Sequence, residues 1–219
     1  MKILNALLSL PKSLYICFLN LPLREALKIP IFVHYNSKIS IKGKLCIKGS
    51  ASFAQIRIGF HKVPVKHSSE TTIFNVKKNG FVYFEGKTHI GKGSIINVER
   101  GANLILGDNF AISASSVISC YKQIEFGKNV QLSWDDLIMD SDTHIIYSED
   151  GSILNEIKPI VFDDKIWVGC RCTVLKGTHV PHDCVIGACS LVSGDKFEPN
   201  TIIAGSPAKS IKKIKTFKI

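Results

Sequence analysis

A histidine closes the run SWDDLIMDSDTH at residues 133–144, two places after Asp142 and four after Asp140. An imidazole with an ordinary pKa near neutrality can take a proton from a hydroxyl and later return it to a leaving group, so His144 is a candidate general base. Taken alone it also fits an ordinary surface position. Asp140, Asp142 and His144 alternate, and in an extended segment alternating side chains project to one side. One of the carboxylates would then orient the imidazole or hold a hydroxyl, and Asp142 is the nearer. Solvated carboxylates in a turn fit the pattern equally. His179 and His182 form a second histidine pair around Pro181. No third ligand falls one repeat away at matching phase, so these read as exposed corner residues and no metal site is expected.

The elements that would carry these groups follow from an internal repeat. Phe162, Val168, Val174, Val180, Ile186 and Val192 are spaced by six, Gly169 and Gly187 follow two of them, and the small residues Cys172, Thr178, Cys184 and Ser190 come four after successive members. Helices favour apolar spacings of three and four and lone amphipathic strands a spacing of two, so a strict six fits neither. It fits a triangular coil whose sides are short strands, each sending one large apolar side chain inward, with small residues near the corners. Leu106, Ile112, Ile118, Ile124 and Val130 repeat the spacing, while Phe126, Leu132 and Ile138 run two residues out of step. Phe84, Ile90 and Ile96, and upstream Ile41, Ile47 and Phe53, fit more weakly.

The repeat spans about residues 40–195 and is interrupted at 61–72 and 145–159, which read as loops leaving the coil. Stacked coils need caps at both ends. The expected organisation is therefore an N-terminal cap at 1–39, a coil domain at 40–204 and a basic cap at 205–219. Within the first cap, helical signals come in pieces ahead of Pro11 and Pro30.

The chain has 219 residues, 45% hydrophobic and 21% charged, as expected of a folded domain rather than a disordered chain. Its net charge of +10 is concentrated at the ends: the first 50 residues hold eight Lys or Arg against Glu25 alone, and Lys209, Lys212, Lys213, Lys215 and Lys218 form a second group. Polyanions are therefore candidate partners, meaning phosphorylated cofactors or a membrane surface ahead of nucleic acid. The apolar N-terminal face would lie on a membrane surface or, more simply, pack on the coil or a neighbouring subunit. No stretch is long enough for a transmembrane helix, and no cleavage site follows the first apolar run, which reads as part of the mature chain. Seven cysteines, several beside apolar residues at regular spacing, point to buried thiols in a reducing compartment, with the cytoplasm as default.

The six-residue spacing, the segment KIWVGCRCTVLKGTHVPHDCVIGACSLVSGDKFEPNTIIAGSPAKSIKKI at 165–214 and SWDDLIMDSDTH together resemble the hexapeptide-repeat acyltransferases. Within them the chain is most similar to sugar O-acetyltransferases of the maltose and galactoside type and to relatives that acetylate capsule and lipopolysaccharide sugars. The resemblance is strong over about residues 85–214 and loose over the first 60. It implies an all-β fold, a left-handed parallel β-helix. Parallel crossovers are ordinarily right-handed, so the hand comes from the resemblance and not from the periodicity. It also implies a homotrimer with active sites in the clefts between neighbouring prisms.

On the same footing, the resemblance implies transfer of an acetyl group from acetyl-CoA to a sugar hydroxyl, with His144 at the place of the family's catalytic base and no metal required. Trp134 and Tyr147 flank that segment and would offer aromatic faces to a sugar ring, although packing would explain them equally. Ser115 occupies the place where related enzymes carry a substrate-binding asparagine, which puts the acceptor's bound pose in question. Cys170, Ala188 and Ser193 would line the pantetheine arm and adenine, and Lys209 and Lys212 would meet the phosphates. Gly205 and Pro207 would shape the turn that returns Lys209 to the cleft. The implied acceptor is a surface polysaccharide or its precursor. The alternatives are an antibiotic acetyltransferase on the same fold, a carbonic anhydrase-like metalloenzyme and a noncatalytic prism.

Overall fold

The computed structural model describes residues 2–61, 63–64 and 70–218, with side chains from Leu4 onward. Positions 62 and 65–69 of the interruption expected at 61–72 lie outside the described residues. The chain opens with α1 (Lys2–Asn20) and α2 (Leu23–Ala26). It then winds three-sided coils. The first two are β1 (Ile31–Val33), β2 (Lys38–Ile41), β3 (Lys44–Ile47) and β4 (Ile56–Ile58), β5 (Ile73–Val76), β6 (Phe81–Phe84). The next two are β7 (Thr88–Ile90), β8 (Ile95–Val98), β9 (Asn103–Leu106) and β10 (Phe110–Ala114), β11 (Val117–Cys120), β12 (Gln123–Phe126). Then come β13 (Val130–Trp134), β14 (Leu137–Met139), β15 (Ile160–Phe162) and β16 (Ile166–Val168), β17 (Thr173–Leu175), β18 (His179–Val180). A last partial coil, β19 (Val185–Ile186), β20 (Leu191–Val192) and β21 (Thr201–Gly205), ends in β22 (Ala208–Lys213).

Up to β20 every third strand joins the same sheet, and β21 then follows β19, which makes three parallel faces. The first holds β1, β4, β7, β10, β13, β16, β19 and β21, the second β2 to β20, and the third β3 to β18. Only β22 is antiparallel, folding back on β21 and closing the first face. The basic cap thus starts as a hairpin around Gly205, whose φ of 111° lies where side-chain-bearing residues are strained.

The six-residue count works where a coil is three sixes long. Val168 and Ile186, paired between β16 and β19, stand 18 residues apart. Lower coils are longer: Ile112 pairs with Leu132, 20 residues on, because four-residue strands there turn two side chains inward instead of one. That is why Phe126, Leu132 and Ile138 run out of step in the sequence and yet are all buried. Corners are marked by left-handed backbone at Asn109, Asn129, Asp183 and Asn200, residue types that tolerate it. The coils approach closely at Gly169, where an added Cβ would lie 2.7 Å from the Ala188 backbone nitrogen. Within the prism Phe126 stands between Phe110 and Phe162, with ring centroids at 4.7 and 4.8 Å.

Two expectations need correction. Phe53 does not continue the interior series. It is exposed on the outside and contacts the Phe32 ring at 5.7 Å, because β4 begins three residues later, at Ile56. The N-terminal helix is not in pieces at Pro11 but runs through it. Pro11 and Leu7 are both exposed, so the carbonyl that Pro11 leaves without a donor faces water, where its loss costs least.

Candidate active site

β14 ends at Met139, and the backbone then leaves the second face. Asp140 turns inward and is fully buried. Its carboxylate accepts the N–H groups of Tyr121, Lys122 and Gln123 at 2.6, 2.8 and 2.9 Å, fastening the corner of the coil below. Burial pushes its pKa up, and the three N–H donors oppose that shift. Asp142 points outward, and Thr143 adopts a left-handed φ of 65°. The segment is therefore not extended, and Asp140, Asp142 and His144 do not share a side as the alternation predicts.

Asp142 does not hold the imidazole. Its Oδ2 accepts Lys176 Nζ at 2.5 Å and Asn155 Nδ2 at 2.9 Å, contacts that hold its pKa below the usual carboxylate range. Asn155 also donates to the His144 carbonyl at 2.8 Å and accepts the Ile146 N–H at 2.7 Å, while Lys176 donates to the Asn155 carbonyl at 2.8 Å. The His144 N–H donates to the Asp142 carbonyl at 2.8 Å. His144 is thus exposed and held through its backbone, and no described residue engages its ring nitrogens. Neither Asn155 nor Lys176 carries a sequence signal, since they come from an irregular loop and from the next coil.

Tyr147 lies on the 145–159 loop, paired with Ile153 by one isolated bridge, and it is exposed together with Ile145, Ile146, Ile153 and Leu154. Ser193 directly follows β20, whose Val192 pairs with Val174, so it stands beside Leu175 and one place from Lys176. Asp142, His144, Tyr147 and Ser193 are therefore grouped where the second face meets the third.

The remaining residues mark the edge between the first and second faces. Trp134 closes β13 opposite Ala114, the neighbour of Ser115, and its carbonyl accepts the Arg171 N–H at 2.9 Å. Ser115 has a left-handed φ of 50°, donates its N–H to the Lys92 carbonyl at 2.8 Å and donates its hydroxyl to the Glu70 carboxylate. On the next coil the Cys170 carbonyl accepts the Cys189 N–H at 2.9 Å, with Ala188 alongside. Ser115, Trp134, Cys170 and Ala188 thus climb one edge of the prism. Lys209 and Lys212 pair with Ala204 and Ile202 in the closing hairpin and are exposed on its outer face. Neither meets a carboxylate among the described residues, whereas Lys213 pairs with Glu198 at 3.4 Å.

Two groups near this edge escaped the sequence reading. Trp167 is 44% exposed on the first face, and its Nε1–H donates to Ser133 Oγ at 3.2 Å. Asp136 is buried, with Oδ1 accepting the Cys172 N–H at 2.9 Å and Oδ2 without a partner among the described residues. Burial pushes its pKa up to about 8, so it carries a proton at neutral pH. His179 and His182 face Asp163 and Asp183, each at 3.0 Å, and no cluster of metal-ligating side chains occurs among the described residues. All seven thiols are free; Cys17, Cys120, Cys172 and Cys184 are buried, while Cys189 is exposed.

No family model matches the chain. It is 30% identical over 128 residues to a Mycobacterium tuberculosis protein named a probable acetyltransferase, an alignment covering 57% of this chain and 41% of that protein. It is 26% identical over 147 residues to an Escherichia coli protein named for O-acetyl transfer in lipopolysaccharide biosynthesis, covering 63% and 74%. The chain spans about half the length of the first two curated relatives it matches. Among solved structures it superposes on the polysialic-acid-specific acetyltransferase NeuO with a TM-score of 0.67 and 24% identity, over 85% of this chain and 74% of that one. That likeness establishes the fold, a left-handed parallel β-helix, as the six-residue spacing and the resemblance together anticipated.

Proposed function

We propose that the chain is an O-acetyltransferase that moves an acetyl group from acetyl-CoA to a hydroxyl of a surface polysaccharide or its precursor, with His144 as general base. The observation that carries this reading is His144 itself, exposed and clamped through both backbone groups with its ring left for a reacting hydroxyl. The imidazole takes the hydroxyl proton as the sugar oxygen attacks the thioester carbonyl. The tetrahedral intermediate then expels the CoA thiolate, which receives the proton back from the imidazolium, leaving a sugar ester and free CoA.

In this reading Cys170, Ala188 and Ser193 line the pantetheine arm, and Lys209 and Lys212 meet the nucleotide phosphates. Trp134, Ser115 and Tyr147 lie along the acceptor, and Asp142 supports the loop. The cofactor and acceptor residues of one chain fall on two different edges of the prism, and prisms standing side by side bring such edges to face each other. This supports a homotrimer with sites in the clefts. The relatives named for acetyl transfer, one of them in lipopolysaccharide biosynthesis, support the acceptor class. A cytoplasmic location fits an acyl-CoA donor. No helix among the described residues is long and apolar enough to cross a membrane.

The test is incubation of the purified protein with acetyl-CoA and surface polysaccharides, reading thiol release and acetylated glycan by mass spectrometry. Matched release and acetylation support the reading. An intact donor with every glycan contradicts it.

A further inference from the structure

The N-terminal helix is inside out for a helix docked on a hydrophobic core. The face of α1 turned to the prism carries Ser9, Ser13 and Cys17, at four-residue spacing and all fully buried. These side chains bond the free edge of β1: Tyr35 N–H donates to Ser9 Oγ at 3.0 Å, Val33 N–H to Ser13 Oγ at 2.9 Å, and Cys17 Sγ–H to the Ile31 carbonyl at 3.4 Å. Lys12 adds a bond to the Tyr35 carbonyl at 2.9 Å. The helix therefore closes an edge strand with polar groups. Ile16 is buried beside them, and most of the other large apolar residues are left on the other side. Leu7 is 62%, Tyr15 68% and Leu19 65% exposed, joined by Leu4, Leu8 and Phe18 on the same face and continued by Leu23 and Leu27.

Charge identifies what covers this face. Arg24 and Lys28 alternate with Leu23 and Leu27, and the first coil adds exposed Lys38, Lys42 and Lys44, while Lys48 is paired with Glu85 at 2.8 Å. Glu25 is the only acidic residue before Glu70, so the first 50 residues carry +7 of the chain's +10. A second copy placed on this face would bring two such cationic sets together, whereas an anionic lipid surface would neutralise one. The helix cannot cross a bilayer but has the make-up to lie in its interface, with apolar side chains inward and cations at the headgroups.

We propose that α1, α2 and the lysines of the first coil form a docking surface for an anionic phospholipid bilayer. The surface holds the prism at the membrane whatever reaction the chain performs.

The test is co-sedimentation of the full chain with vesicles of phosphatidylcholine containing about a third phosphatidylglycerol, against phosphatidylcholine alone. The chain is expected to sediment with the anionic vesicles and to be released by high salt. Leu7→Gln/Phe18→Gln/Leu19→Gln changes three exposed side chains and is expected to weaken binding on the order of 100-fold with a melting temperature close to wild type. Arg24→Gln/Lys28→Gln/Lys42→Gln, an independent variant, is expected to weaken it by a similar factor for anionic vesicles. Absence of wild-type binding to anionic vesicles overturns the proposal. So does an apolar variant that keeps its vesicle binding but dissociates from an oligomer in light scattering, because a second copy would then be the occupant.

Discussion

The side-chain amide of Asn155 donates to the backbone carbonyl of His144 at 2.8 Å, across eleven residues of an irregular loop. The same amide reaches Asp142, which is itself fixed by Lys176 from the next coil. The position of His144 is thus set by its backbone and by a neighbouring coil, not by a carboxylate on the ring.

Replacing Asn155 with Ala should lower kcat about 10- to 100-fold, the scale of a small misplacement of a reacting group. The KM for acetyl-CoA and the melting temperature should stay close to wild type, because Asn155 is only half-buried and makes no core contact. A rise in KM with kcat unchanged would show that Asn155 acts on the donor and does not position His144.

Lys209 and Lys212 share the outer face of the closing hairpin and lack carboxylate partners among the described residues. Replacing both with Gln should raise the KM for acetyl-CoA roughly 10-fold, as expected when two charge-assisted contacts to phosphate are lost. The defect should nearly vanish with an acetyl-pantetheine donor that lacks the nucleotide. Equal defects with both donors would assign the lysines to the fold of the cap.

Asp136 has its folded pKa raised to about 8 by burial, against about 4 for an unfolded aspartate. Between these values the folded state binds more protons than the unfolded one, so this contribution to stability is fully present below about pH 4 and is lost as pH rises toward about 8. Asp136→Asn stays uncharged and keeps an acceptor for the Cys172 N–H. It should match wild type near pH 4 and exceed it by on the order of a few kcal/mol near pH 8, measured by thermal melts at both pH values. A stability difference that does not change with pH would rule out titration of Asp136.

Much of the prism was legible because one physical constraint, an interior with room for one layer of apolar side chains per face, repeats with the coil. Val168, Val174, Val180, Ile186 and Val192 report that constraint directly, and all are buried. It weakens at Phe53, where the chain has left the coil. The orientation of Asp140 was not legible, because it depends on three backbone donors of the coil below and on the left-handed turn at Thr143. Asn155 and Lys176 were missed for a related reason: their contacts are set by the stacking of coils and the path of a loop, neither of which leaves a local pattern. The helix α1 was legible only in part. Its apolar face left a membrane surface, the coil and a neighbouring subunit open, and the contact with β1 is made by Ser9, Ser13 and Cys17.

Phe126 tests the interior. Its ring lies between Phe110 and Phe162, and its backbone joins β9 to β15 through the third face. Phe126→Ala should destabilise the chain by about 3–5 kcal/mol in urea unfolding, the usual range for a buried aromatic truncated to alanine. A loss below about 1 kcal/mol would mean that the column repacks without a cavity.

The central claim rests on the imidazole of His144, and the most direct measurement is acetyl transfer by His144→Ala to a polysaccharide that the wild-type protein acetylates. Loss of a general base should lower turnover by about 10²- to 10⁴-fold while leaving coenzyme A affinity, read by calorimetry, near wild type. Turnover within a few-fold of wild type on the same acceptor would contradict the account.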